Sequence, residues 1–239
     1  MTLSDLGAST AIVAALPRSS DFARKAMKIS LFGATGPTGR YLIEEALRQG
    51  YSLSVYTRDA SKLKDYQGKI EVVVGDLTNV KAMAECIRGS TAVISALGPN
   101  SLKIKGDRPI MHGVGNIVSV MKKLGVHRLI QISTASYRDP KDSFDLKAHS
   151  FLMLFKLIAR KGVDDIRATA ELVRDSGLDW TLARIPNLKD GPASGTIDVG
   201  WYGKSKLSTK LSRGNLAKFL VEQVSNREFV RAAPAIASH

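Results

Sequence analysis

Lys28-Ile29-Ser30-Leu31-Phe32-Gly33-Ala34-Thr35-Gly36-Pro37-Thr38-Gly39 joins a short apolar run to a turn carrying three glycines, and its reading decides the fold. Residues 28–32 read as a buried strand, and residues 38–49 place apolar side chains three and four apart, the period of a helix that buries one face. Between them Gly33 permits a sharp strand-to-helix turn, Gly36 lets the backbone approach a pyrophosphate, and Gly39 lets the helix pack closely on the sheet. The start of such a helix offers unpaired N–H groups and its positive dipole end to an anion. Thr35, Pro37 and Thr38 complete the expected cofactor turn.

Outward from this turn, β-branched runs alternate with helical stretches, as expected of βαβ units and a parallel sheet. Strands are expected at 28–32, 52–57, 70–74, 92–95, 128–132 and 180–183, and helices at 38–49, 80–88, 110–124 and 166–175. Gly50, Gly89, Gly125 and Gly177 follow the helices, where the left-handed geometry past a helix end favours glycine. Together these elements predict an α/β, Rossmann-type, doubly wound parallel sheet. After Ile185-Pro186 the pattern loosens, with a strand-like stretch at 196–199 and a helix at 213–224; residues 187–239 read as a small C-terminal cap on the substrate side of a 27–239 domain. Residues 1–26, rich in Ser, Thr and Ala, read as a flexible extension, with an organellar targeting segment as the alternative.

The end of the second strand should lie near the adenosine ribose, where an acidic residue would hydrogen-bond the hydroxyls of NAD. The sequence there is Tyr56-Thr57-Arg58-Asp59. An arginine fork suits a 2′-phosphate, so Arg58 argues for NADP(H) over NAD(H), against the alternatives of a solvated arginine and an Asp59 that only caps the next helix. Asp76 ends the third strand, either accepting a hydrogen bond from the adenine or simply terminating the strand. Leu97 and Gly98, within Ser95-Ala96-Leu97-Gly98-Pro99, end the fourth at the same edge, where small residues let a dinucleotide lie close.

The net charge of +13 can attract phosphate-bearing partners, but the cations are spread along the chain without a basic block interleaved with aromatics. Nucleic acid is therefore not expected, and the charge reads as a funnel for an anionic cofactor. No apolar run is long enough for a membrane span. The lone Cys86 gives no disulfide, so a cytoplasmic setting is the expectation. The histidines show no metal-ligand spacing, and no metal is expected.

These residues resemble the atypical short-chain dehydrogenase/reductases, especially those related to biliverdin-IXβ (flavin) reductase and the NmrA-like proteins. The resemblance spans 27–224 and rests on the strand running into the glycine turn, Tyr56-Thr57-Arg58-Asp59, Val74-Gly75-Asp76, Arg174-Asp175-Ser176-Gly177-Leu178-Asp179-Trp180-Thr181, and Arg184-Ile185-Pro186. It implies NAD(P)H binding with the nicotinamide near the ends of the fourth to sixth strands. Ser133 and Thr134 then fall at the nicotinamide edge as candidate catalytic residues, with Pro186 and Asn187 against the carboxamide. Flavins, quinones or linear tetrapyrroles are the implied hydride acceptors. Two departures stand out. Thr169-Ala170 replace the active-site histidine of biliverdin-IXβ reductase, and Tyr137 and Lys141, which have the spacing of the dehydrogenase Tyr-x-x-x-Lys pair, are interrupted by Pro140.

Hydride transfer to a flavin or quinone can draw its proton from solvent, whereas carbonyl reduction wants a positioned acid, so the sequence favours a flat acceptor. A non-catalytic NAD(P) sensor or scaffold is the rival class, and a membrane-associated assembly factor a third. Phe151-Leu152-Met153-Leu154-Phe155-Lys156-Leu157-Ile158-Ala159 is more apolar than a one-faced surface helix. It reads as a homodimer or protein-partner surface, a lid, or an ordinary buried helix. Trp201 and Tyr202 either line the substrate pocket or simply pack.

Overall fold

The computed structural model describes residues 27–99 and 106–238. Strands β1 (Lys28–Phe32), β2 (Ser52–Thr57), β3 (Glu71–Val74), β4 (Ser90–Ser95), β5 (Arg128–Ser133) and β6 (Asp179–Arg184) run parallel in the order 3-2-1-4-5-6. The helices between them are α1 (Gly39–Arg48), α2 (Val80–Ile87), α3 (Pro109–Leu124) and α4 (Leu146–Arg174). One face of the sheet buries Ile29, Leu31, Leu53, Val55 and Ile94 beneath α1, while the other buries Phe32, Val93 and Leu129 beneath α2 and α3. The order reverses between β1 and β4, and the strand ends on either side of that reversal form the crevice where open α/β sheets take their ligands. Gly50, Gly89, Gly125 and Gly177 all have positive φ, between 67° and 84°, so the helix ends stand where the sequence puts them.

The C-terminal region is built largely onto the main sheet. Strand β8 (Ile197–Gly200) pairs antiparallel with β10 (Ala235–Ser238), which continues the main sheet beside β6 and makes it eight-stranded. Helix α5 (Arg213–Glu222) buries Leu216, Ala217 and Leu220 in the α1-side core. Strands β7 (Asn187–Lys189) and β9 (Lys210–Ser212) form a separate parallel pair.

The helix expected at 166–175 is the last part of α4, which is 29 residues long and is interrupted at Ala159 by non-helical dihedrals (φ −136°, ψ 41°). The run expected at 151–159 lies before that break. The buried-helix reading of it is overturned: Met153, Leu154, Phe155, Leu157 and Ile158 are all exposed. Residues 1–26, on which the extension and targeting readings fall, lie outside the described residues.

Candidate functional site: a nucleotide crevice at the strand ends

The glycine turn is shaped by close approach. Gly33 has φ +81°, and a Cβ on it would stand 2.8 Å from the Ala96 carbonyl carbon, so the first turn can lie against β4 only without a side chain. A Cβ on Gly39 would fall inside the Ala34 carbonyl, which fixes glycine where α1 begins. Two short hydrogen bonds, Gly36 N–H to Gly33 O (3.1 Å) and Gly39 N–H to Gly36 O (2.9 Å), hold the loop.

Thr38 caps α1 with no side-chain hydrogen bond. Among the described residues, no protein acceptor meets the amides of Thr35, Thr38, Arg40 or Tyr41. Thr35, Gly36 and Pro37 are exposed, so these donors open onto an accessible surface. A helix start with free amides and no side-chain cap fits a diphosphate.

Arg58 follows β2, whose last residues pair with β1 just before the turn (Phe32 with Tyr56). It is exposed, and among the described residues no carboxylate lies within ion-pairing distance of it. Asp59 is occupied: its Oδ1 accepts from the Ser61 amide (3.0 Å) and hydroxyl (2.6 Å), which caps the following 3-10 turn and holds its carboxyl below the usual carboxylate range. Asp76 is likewise turned to its own loop. Its Oδ1 accepts from the Thr78 hydroxyl and amide and the Asn79 amide, and the Thr78 bonds lower its pKa.

Hydrogen bonds run along the strand ends from the turn toward β6. Ala96 N–H donates to Phe32 O (2.9 Å), Gln131 Nε2 to Leu97 O (3.2 Å), and Ile185 N–H to Ser133 O (3.0 Å). Gly33, Leu97, Ser133 and the segment leading to Pro186 therefore share one edge. Gly98 is less constrained, since the nearest atom to a Cβ there is 3.8 Å away. Ser95 Oγ, Gln131 Oε1 and Ser133 Oγ are buried and find no partner among the described residues. Buried polar atoms without partners are costly, and these three lie on neighbouring strands at one end of the sheet. Sequence reading places Ser95 at this edge but passes over Gln131, which on a strand looks like ordinary polar punctuation.

Thr134 Oγ1 is bonded to Ser136 Oγ at 3.0 Å. Tyr137 does not face Lys141. It is buried with its hydroxyl directed to Arg174, and burial raises its pKa, while Lys141 Nζ sits 4.7 Å from the centre of the Trp201 ring. The hydroxyl of Thr169 is spent on the Asp165 carbonyl inside α4. Cys86 is buried, which pushes its thiol up to about 11 and leaves it unreactive.

Just beyond β5 a cleft is lined by Ala135, Arg138, Phe144, His149, Leu152 and Tyr202. Its floor is held by a buried ion pair. Arg184 at the end of β6 is fully buried, grips Asp142 through two bonds of 2.5 and 2.8 Å, donates to Ala233 O, and lies 4.7 Å from the Tyr202 ring centre. Asp142 also accepts from the Asp139 and Tyr202 amides, and Asp139 from the Ala233 amide. Three loops are thereby tied to one guanidinium. Nothing local in the sequence marks this pair, because its members are 42 residues apart.

The fold and this crevice define a dinucleotide-binding Rossmann protein. Residues 33–227 match the model of the NAD(P)H-binding family, and the chain belongs to that family. A chloroplastic protein of Arabidopsis thaliana is 28% identical over 209 residues, covering 84% of this chain and 71% of that one. The fold is shared with the anaerobilin reductase ChuY of Escherichia coli O157:H7 (TM-score 0.72, 19% identity, 89% of this chain and 97% of that one). It is shared also with a short-chain dehydrogenase/reductase of Veillonella parvula solved in complex with NADP (TM-score 0.69, 17% identity, 89% and 94%).

Proposed function

We propose that this chain is a reductase that takes NADPH in preference to NADH and serves a flat, electron-accepting substrate such as a flavin or quinone. The reading rests on Arg58, an exposed guanidinium with no carboxylate partner among the described residues, standing after β2 beside the glycine turn while the neighbouring Asp59 is committed to a cap. A fork of this kind suits a 2′-phosphate, and the neighbouring aspartate has one carboxylate oxygen committed to the Ser61 cap. When bound, NADPH supplies a hydride from its nicotinamide ring.

The residues of the chain bind and orient. The amides of Thr35, Thr38 and Arg40 take the diphosphate, with Gly33, Gly36, Pro37 and Gly39 clearing its path. Asp76, Leu97 and Gly98 border the dinucleotide. Ser133 Oγ, unpartnered at the β5 end, orients the nicotinamide edge together with Pro186, while Thr134, bonded to Ser136, shapes the loop beside it. The proton comes from solvent through the open cleft beyond β5. The acceptor class is supported by the two positions where the family resemblance looks for an acid: Tyr137 faces Arg174, and Thr169 is bonded within its helix. The same observation favours a second reading, a non-catalytic NAD(P)-binding sensor or scaffold. NADPH with a panel of flavins and quinones separates the two: oxidation of NADPH supports the reductase, and tight binding without oxidation supports the sensor.

Replacing Arg58 by Ala is expected to weaken NADPH binding by roughly 1–3 kcal/mol, the scale of a charge-assisted contact, with NADH nearly unchanged. Calorimetric titration of both nucleotides checks this. An equal loss for the two would remove Arg58 from the 2′-phosphate site.

A further inference from the structure

Between Asp145 and Asp164 the chain carries Lys147, Lys156, Arg160 and Lys161 and no carboxylate. Nine large apolar side chains are exposed among the described residues, and seven of them fall between positions 144 and 158. Leu146, Met153, Leu154, Leu157 and Ile158 recur at helical spacing and so share one face of the first part of α4, with Leu157 84% and Ile158 60% exposed. Ala159, on the opposite side, is buried, and its non-helical dihedrals set this arm apart from the later part of α4, where Val163, Asp165, Ala170 and Val173 are packed inside. A patch this apolar on one arm marks a surface with a partner.

We propose that the arm 146–158 is a membrane-docking helix that lies in the plane of an anionic lipid surface, its apolar face in the acyl boundary, with Lys156 and, just past the break at Ala159, Arg160 and Lys161 at the level of the phosphates. Charge selects this occupant. An apolar face flanked by Lys156, Arg160 and Lys161 is complementary to anionic headgroups, with Asp164 meeting Arg160 at 3.9 Å as the one acid at its end, and the +13 charge of the whole chain adds long-range attraction. A second copy of the chain, paired face to face across a two-fold axis, would bring the same cations together with no acid on the arm to meet them. No helix among the described residues is long and apolar enough to cross a membrane, so the arm rests on the surface. This inference does not depend on hydride transfer, because lipid binding is read without turnover.

Flotation of the full chain with vesicles of phosphatidylcholine alone, and of phosphatidylcholine mixed with phosphatidylglycerol, tests it. The chain is expected to float with the mixed vesicles only and to be released by high salt. Leu157→Glu combined with Ile158→Glu should abolish flotation, and Arg160→Gln with Lys161→Gln should lower the partition coefficient by about thirtyfold, while thermal melting stays at the wild-type value because all four side chains are exposed. Failure to float with anionic vesicles, or equal flotation with neutral ones, would overturn the proposal. So would a wild-type dimer in sedimentation equilibrium that Leu157→Glu dissociates, which would give the face to a second copy.

Discussion

Asp142→Ala is expected to lower the folding stability by about 3–5 kcal/mol, because it leaves the fully buried Arg184 guanidinium without its counter-ion and the Asp139 and Tyr202 amides without their acceptor. For a chain of this size that corresponds to a fall in melting temperature of roughly 10 °C. Desolvating a charge is the dominant cost here, and attraction offsets it only while both partners remain. The double change Arg184→Met, Asp142→Leu should recover only the part of the loss that comes from the unpaired charge, because the Asp139 and Tyr202 amides and the Ala233 and Tyr137 carbonyls still lack partners. Differential scanning calorimetry of the single and double variants decides the matter. A single variant melting within 2 °C or so of wild type would mean that solvent reaches the guanidinium and that this pair does not anchor the loops around the cleft.

Gly36→Asp carries the second large effect, this time on binding and not on stability. A Cβ at Gly36 meets only the Gly33 carbonyl at 3.3 Å, and the position is exposed, so the backbone can accept it with a shift of a few tenths of an ångström. Gly39 is unsuitable for this purpose, since any side chain there collides with Ala34 and would disturb the fold itself. A carboxylate at 36 would stand before the free amides of α1 and take the place proposed for the diphosphate, replacing attraction by like-charge repulsion. Affinity for NADPH and NADH should fall together by about a hundredfold or more, near 2.7 kcal/mol. Fluorescence titration measures this, and retention of both affinities would separate the turn from the nucleotide.

What the sequence discloses and what it hides divide along the range of the interactions. The Rossmann order, the glycine turn and the four helix ends are local. A strand five residues long, a glycine forced by φ, and apolar residues three and four apart are written in neighbouring positions. The joining of β8 and β10 to the main sheet is not local. Ala235–Ser238 is too short and too uniform to show which strand it will pair with, and a cap looks the same as a sheet extension until the partners are known. The ion pair of Arg184 with Asp142, and the capping of α3 by the buried carboxylate of Asp165 through the amides of Ile110 and Met111, are equally remote in sequence. The apolar run around Leu157 was conspicuous, but its pattern cannot distinguish a face covered by the chain from one left open, and exposure resolves that.

At the candidate site the legible part is the part made of backbone. Glycine spacing foretells where amides are bare, and Arg58 after β2 foretells a positive edge. The unpartnered Ser95, Gln131 and Ser133 atoms come into view only when β4 and β5 are laid side by side, in the register that sets Ser95 opposite Gln131.

The central claim is that the amides opening α1 grip the diphosphate of a nicotinamide nucleotide, and amide NMR of the wild-type chain during NADPH titration tests it most directly. The expected result is saturable shifts concentrated at Thr35, Gly36, Thr38, Arg40 and Tyr41, with Arg58 among the responding residues. Saturation that leaves those amides unmoved and perturbs another face of the sheet, or no response at any NADPH concentration, would contradict it.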